Sequence, residues 1–255
     1  MTPATGTEPR NLGLRRSQLD RTTAMRLAAT EYARFADAVD QLAPREWELP
    51  TDCPGWDVSA VTQHVLGMAE MAASVPEGVR QFRAASKKGG LFLDALTALQ
   101  VRKNAGLTPA ELTGRLRAIG PKATRGRRLA PGLIRRRRMP MAQQVGGQSE
   151  WWAIGFLTDT ILTRDPWMHR IDLTRATVHP MQLTPEHDGV LVADIVAEWA
   201  TRHAQPYTLH LTGPAGGTFS SLSGGPELEL DALDFCRALS GREQGEGLLA
   251  VQTPF

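Results

Sequence analysis

The sequence predicts an α+β chain, with a helical region over residues 15–180 followed by a small α/β unit over residues 185–255. Three observations predict it. From Arg15 to Val178, apolar residues recur at three- and four-residue steps, the period of a helix with one buried face. After "HPMQLTPEHDG" the pattern turns to short runs rich in strand formers, separated by glycine and proline. The 255 residues, 42% apolar and 22% charged, have the composition of an ordinary globular protein long enough for two modest units.

The elements follow in order. Leu19, Met25, Leu27, Phe35, Val39 and Leu42 mark a first helix from about Arg15 to Leu42. "APREWELPTDCPGW" has three prolines and a glycine and reads as a loop. Asp57 then caps a second helix through "DVSAVTQHVLGMAEMAASV", whose stripe is Val58, Val61, Val65, Met68 and Met71. Weaker helical patterns fill Glu77 to Arg117, with a capping box at Thr108 and Glu111. "RGRRLAPGLIRRRRMP", Arg125 to Pro140, has no clean period and is expected as a long basic loop or broken helix. One helical pattern is expected from Trp151 to Val178. The tail offers a helix in "VLVADIVAEWATRHA" and strands in "YTLHLTG", "GTFSSLS" and "PELELD". It closes with a helix between Asp231 and Gly241, then a strand in "LLAVQTPF".

Several function classes are excluded or weakened. A membrane span needs about 20 apolar residues, and the longest uninterrupted run is near "WWAIGFL". The N-terminal "MTPATGTEPRNLGLRRSQ" has no apolar core behind its charges, so it reads as a loose tail rather than a secretory signal. Two cysteines, Cys53 and Cys236, make no disulfide framework and suit a reducing cytoplasm. A net charge of +2 says little about partners, and arginine outnumbers lysine throughout. The run 125–140 has no aromatic residues, so a solvated segment is a better reading of it than a nucleic-acid footprint, which would bind duplex DNA with steep salt dependence.

The candidate site is "LTRDPWMHRIDL", Leu162 to Leu173. Residues four apart share a helix face, so Asp165 and His169 can hold one ion from adjacent turns. His64, in "VTQHVLG" on the second helix, is the best third donor. Inward-facing carboxylates and histidines are how helix bundles build metal sites, and two imidazoles with one carboxylate suit a divalent ion such as zinc. The alternative is ordinary packing: Asp165 paired with Arg164 or Arg170, and His169 a satisfied core histidine. His179, His187, His203 and His210 show no ligand spacing.

"TDCPGWDVSAVTQHVLG" resembles the opening signature of the mycothiol-dependent maleylpyruvate isomerase family, a Cys-Pro-Gly-Trp turn, a capping residue, and a histidine eight residues after the tryptophan. "RDPWMHRIDLTRAT" is similar to the family's second signature, a helix with acid-x-x-x-His followed by an acidic and basic run. "LDALDFCRALSGR" and the terminal "TPF" look like the small α/β domain that closes many members, so the resemblance runs from about residue 17 to the end. It implies a DinB-like up-down four-helix bundle with His64, Asp165 and His169 as ligands of a divalent metal, zinc being the expected ion, and mycothiol as thiol cosubstrate. There is one departure, because the best-known enzyme of the family has glutamate where Asp165 stands.

The implied activity is addition of a metal-activated thiolate to a small electrophile. That electrophile is either a maleylpyruvate-like substrate to be isomerised or one that accepts the thiol by S-transfer. The rival readings are a bundle that binds metal without thiol catalysis and the basic-loop nucleic-acid binder. Partners are the small thiol and electrophile, with no membrane, and the chain acts as a monomer or dimer. A dicarboxylate substrate would want an arginine, and Arg242 is the candidate, against a helix-end arginine offsetting the dipole. Trp56 and Trp167 read as core aromatics or as walls of the site, Asp172 as a support for a ligand or a partner of Arg175, and Cys53 as structural. Pro166 is expected to bend the helix and swing Asp165 toward the metal.

Overall fold

The computed structural model describes residues 13–221 and 223–255; of the expected N-terminal tail, residues 1–12 lie outside them. The chain enters as a two-residue strand, β1 (Leu14–Arg15), rather than as helix. Helix α1 (Arg21–Asp40) starts six residues later than its apolar period suggests, because Asp20 accepts the Thr23 N–H at 3.0 Å and so sets the boundary. Asp57 caps α2 (Val58–Ala73) as expected, accepting the Ala60 N–H at 2.7 Å. The helix ends two residues early at extended Ser74, which opens α3 (Val75–Ser86) with Pro76 in its first turn. Helix α4 (Phe92–Asn104) follows, and then α5 (Pro109–Leu129), which carries the expected capping box.

Helices α1, α5 and α2 and a later helix, α8 (Leu162–Thr177), form a ring in which each packs on the next. Phe35, Val39, Val61, Val65, Leu112, Leu116 and Leu173 fill it. Helix α4 lies outside α2, and Gly67 permits the close approach: a Cβ there would stand 2.6 Å from Gln100 Cβ.

The arginine-rich segment differs from a solvated loop. Helix α5 continues to Leu129 and is followed by a single turn, α6 (Gly132–Arg135), so the broken-helix alternative is the one observed. Arg127 is buried, Arg135 pairs with buried Asp159, and the Arg138 guanidinium lies 3.9 Å over the Trp151 ring. Arg125, Arg128, Arg136 and Arg137 stay exposed.

Trp151 and Trp152 are not helical. Strands β2 (Gln143–Val145) and β3 (Gln148–Trp152) make a hairpin across Gly146 and Gly147, whose φ values of 57° and 76° give the two-residue turn that matches strand twist. Strand β1 pairs in parallel with β3. Helix resumes at α7 (Ile154–Phe156), widens into a π turn over Leu157–Ile161, and continues as α8.

A second π turn, Pro185–Gly189, leads into α9 (Val190–His203). Strand β4 (Tyr207–Thr212) is central, antiparallel to β5 (Gly217–Ser221) and parallel to β6 (Glu227–Asp231). Asp231 caps α10 (Ala232–Ser240), which stops at left-handed Gly241, φ 79°. The expected closing strand is absent. Gly247–Ala250 forms a 3-10 turn, and the last residues are held singly instead, by Thr253 N–H on Leu239 O and Arg164 on Pro254 O.

Leu27, Trp167, Met168 and Ile171 share one apolar cluster with Leu191, Trp199, Leu209, Phe235 and Leu239, so α8 belongs to the ring and to the C-terminal core at once. Buried ions fasten this junction. Arg170 grips Glu31 through Nε and Nη2 (2.9 and 3.0 Å) and Asp188 through Nη2 (2.9 Å). His187 and Arg34 complete the group on Glu31 and Asp188. Burial would raise the Asp188 carboxyl, but Arg170 and the Thr184 N–H hold it below its ordinary value. The unfolded chain therefore takes up this proton first on acidification. The stabilisation is complete above about pH 4 and is lost as pH falls through the folded value. Asp188→Asn is expected to cost about 3–5 kcal/mol in urea unfolding at pH 7. The gap from wild type should close as pH is lowered below about 4; an equal gap at both pH values would refute the assignment.

Candidate metal centre

The site is assembled from three pieces of chain. The first is the turn before α2. Trp56 N–H returns to Cys53 O at 3.0 Å, with Pro54 and Gly55 (φ 78°) at the two central positions, the pattern of a type II turn. Thr51 ties it off by donating its hydroxyl to Trp56 O at 2.8 Å. The turn places the Cys53 thiol and the Trp56 ring at the mouth of α2, which supplies buried His64. The second piece is α8, on which Asp165, His169 and Asp172 fall at four- and three-residue spacing on one face. The third is the end of α10, where Gly241 turns the chain and presents Arg242. Together they line a cavity of about 640 Å³.

The structure brings His64, Asp165 and His169 together. His64 Nε2 lies 3.2 and 3.3 Å from the Asp165 oxygens, and His169 Nε2 lies 3.7 Å from Asp165 Oδ1. One donor atom from each residue falls within 4.8 Å of the others. Ligands about 2.0–2.1 Å from a tetrahedral ion stand about 3.4 Å apart, so the donor set fits a zinc-sized ion in both chemistry and spacing. Burial would raise the Asp165 carboxyl, yet the two imidazoles hold it below its ordinary value, as an anion.

Around these donors sits a layer that sequence reasoning only half identified. Asp172 is fully buried and accepts the His169 Nδ1–H at 2.8 Å, which turns Nε2 toward Asp165. Arg242 donates Nε and Nη2 to the two Asp172 oxygens at 2.6 and 2.7 Å. Burial opposes the Asp172 charge, but these hydrogen bonds pull the carboxyl far below the usual range. Asp172 is therefore the support of a site residue, and Arg175 pairs instead with Asp52. The i+3 spacing from His169 was the available signal. His64 has no such partner, since its Nδ1 is buried without a hydrogen bond among the described residues and its ring packs 5.3 Å from Trp56.

The remaining candidates separate. Trp56 walls the cavity, whereas Trp167 is fully buried in the C-terminal core with its Nε1–H on Asp188. Arg242 lines the cavity but commits two nitrogens to Asp172. Pro166 does sit in α8, but the helix is distorted one turn earlier, at the π segment. Of the other histidines, His187 and His179 bind Glu31 and Glu46, and neither they nor His203 and His210 join a metal-type cluster among the described residues. Cys53 sits 3.3 Å from Asp172; burial and that negative neighbour push its thiol up to about 12.

Residues 28–174 match the family model described as the mycothiol maleylpyruvate isomerase N-terminal domain. The chain belongs to the mycothiol maleylpyruvate isomerase family. The matched span contains Cys53, Trp56, His64, Asp165, His169 and Asp172, and ends before Arg242. Two solved structures are similar in fold. One is a crystal structure of the mycothiol-dependent maleylpyruvate isomerase, at 15% identity and TM-score 0.56, over 88% of this chain and 90% of that one. The other is a histidine-to-alanine mutant of that isomerase, at 14% identity with the same TM-score and coverage. No curated protein matches the chain. The similarity in fold extends beyond the family's matched domain and takes in the C-terminal α/β part.

Because its thiol is held protonated, Cys53 is expected to react with iodoacetamide at pH 8 at least about a hundredfold more slowly than an ordinary thiol of pKa ~8.5. Mass spectrometry of the timed reaction reads the rate; labelling of Cys53 at the rate of a free thiol would contradict the geometry.

Proposed function

We propose that the chain is a metal-dependent enzyme that uses mycothiol to isomerise a small maleylpyruvate-like substrate in the cytoplasm. The observation that carries this reading is the cluster of His64, Asp165 and His169 at ligand spacing in a cavity, within the family's matched span. In the same reading, residues 15–180 form the metal-binding bundle and residues 185–255 the unit that closes over it.

His64, Asp165 and His169 would hold the ion, most simply zinc. When bound, such an ion supplies a Lewis-acid position at which a thiol loses its proton at neutral pH. The chain's residues do the rest. Asp172 fixes the His169 tautomer and ring orientation. Trp56 limits water at the mouth, and Met168 adds an apolar wall. Arg242 keeps Asp172 ionised and leaves Nη1 as its uncommitted nitrogen for a substrate carboxylate. The chain's own cavity thiol is held protonated, so the nucleophile is supplied by the cosubstrate. Its sulfur forms a bond to one carbon of the cis double bond, and the electron pair moves onto the conjugated carbonyl. The resulting single bond rotates, and return of the pair expels the thiolate and leaves the trans product.

One observation favours a second reading, transfer of the thiol to a neutral electrophile. Two of the three Arg242 nitrogens are already engaged by Asp172, which leaves little of the planar fork that grips a carboxylate.

The purified chain is expected to bind about one zinc per chain, and His169→Ala to lose most of it. With mycothiol, wild type should turn over maleylpyruvate and His169→Ala should not. Zinc-loaded protein that neither consumes mycothiol with an electrophile nor isomerises maleylpyruvate would end the enzyme reading. Equal zinc in wild type and His169→Ala would end the metal centre.

A further inference from the structure

We infer that Arg127, a residue on α5 that touches no donor of the site, is a positioning residue for Asp165 and through it sets the affinity of the metal centre. The inference rests on the proposed metal site and goes beyond it.

The starting point is a defect in α8. Pro166 has no N–H, so the carbonyl of Leu162, four residues earlier, loses its α-helical donor. Immediately upstream, the backbone is π-wound over Leu157–Ile161, so the ladder entering this turn is irregular as well. The affected turn is buried, where an unpaired carbonyl is costly. Asp165, directly before the proline, hangs from this turn.

Arg127 repairs the turn from outside. It is 2% exposed, and the one titratable side chain that acts on its charge is the Tyr32 hydroxyl, which accepts from Nη1 at 3.4 Å. Its Nη1 donates to Leu162 O at 3.0 Å, its Nε to Thr158 O at 2.6 Å and its Nη2 to Thr163 Oγ1 at 2.6 Å. Those contacts fall on Thr158 inside the π segment and on the two residues that follow it, Leu162 and Thr163. Two features of α5 and α1 hold the guanidinium there. Gly126 lets α5 press against α2, since a Cβ would stand 2.3 Å from Ala72 O. Tyr32 lies under the guanidinium, 5.8 Å from carbon to ring centre.

The consequence falls on the shortest donor. An aspartate has one methylene between backbone and carboxylate, so the position of its Cα fixes the reach of its oxygens. Metal sites tolerate about 0.2 Å in ligand distance. Removing Arg127 frees the turn to relax toward another winding, and Asp165 moves with it. His64 and His169, on intact helix, stay in place.

The test uses the full chain, zinc affinity by chelator competition, and cobalt(II) as a spectroscopic probe of coordination. Arg127→Met keeps the length and removes the donors without stranding a charge. It is expected to keep wild-type helix content by circular dichroism, to bind zinc about 10–100-fold more weakly, and to shift the visible cobalt bands. Adding Pro166→Ala to that variant returns an N–H to Leu162 O and should recover several-fold of the lost affinity, a rescue that general destabilisation would not give. If Arg127→Met does not fold, Thr163→Val serves, removing one acceptor at constant volume, with a few-fold loss expected. A folded variant within about twofold of wild type in zinc affinity, with an unchanged cobalt spectrum, overturns the inference, as does a loss that Pro166→Ala leaves untouched. A wild-type chain that binds neither metal overturns the metal centre itself.

Discussion

Helix α8 is buried along nearly its whole length, yet it carries arginines, aspartates and a histidine, and the rest of the structure is arranged to make that burial tolerable. At about 100° per residue its polar side chains divide into three sectors. Asp165, His169 and Asp172 share one sector, of which Asp165 and His169 line the cavity and Asp172 is buried behind them. Arg170 faces α1 and the turn before α9, where Glu31 and Asp188 neutralise it. Arg164 faces α9, between Asp194 and Glu198, and this second group extends through Arg202 to Glu150 and Arg15 beside the β1–β3 pair. Breaking such buried pairs one-sidedly is costly, so the helix is held in rotation as well as in place. A site built from one short carboxylate and two imidazoles needs that rigidity.

Asp172 is the point at which support and chemistry meet. One carboxylate orients His169, holds Arg242 and faces the Cys53 thiol, and its charge follows from the first two contacts. The third contact then has an electrostatic result, because a thiol beside a fixed anion in a half-buried turn stays protonated. The turn that delivers Trp56 to the cavity thus carries a cysteine whose thiol stays protonated. Asp52, in the same turn, pairs with Arg237 on α10 and Arg175 on α8, so the C-terminal part is latched beside the cavity it helps to line.

Much of this was legible in the chain. Four-residue spacing put Asp165 and His169 on one face, and the apolar stripe of α2 pointed His64 inward. The caps at Asp57, Thr108 and Asp231 are local hydrogen bonds, and local sequence reports them well. The hairpin at Gly146–Gly147 was present as a turn signal, but the apolar period running through Trp151 and Trp152 masked it. Arg127, Arg164 and Arg170 were not legible, because an arginine in an arginine-rich chain looks solvated until its partners, 12 to 139 residues away, are in place.

The sequence by itself determined the helix periods, the capped boundaries and the change to a strand-rich tail, because each depends on neighbours within a turn or two; it also offered the three residues proposed as donors. Tertiary structure decided which polar residues are buried, which carboxylate supports which imidazole, and that Arg242 spends most of its fork on Asp172. Those outcomes depend on charge pairing in low dielectric between distant segments, and a pairing energy exists only once the fold has removed both partners from water.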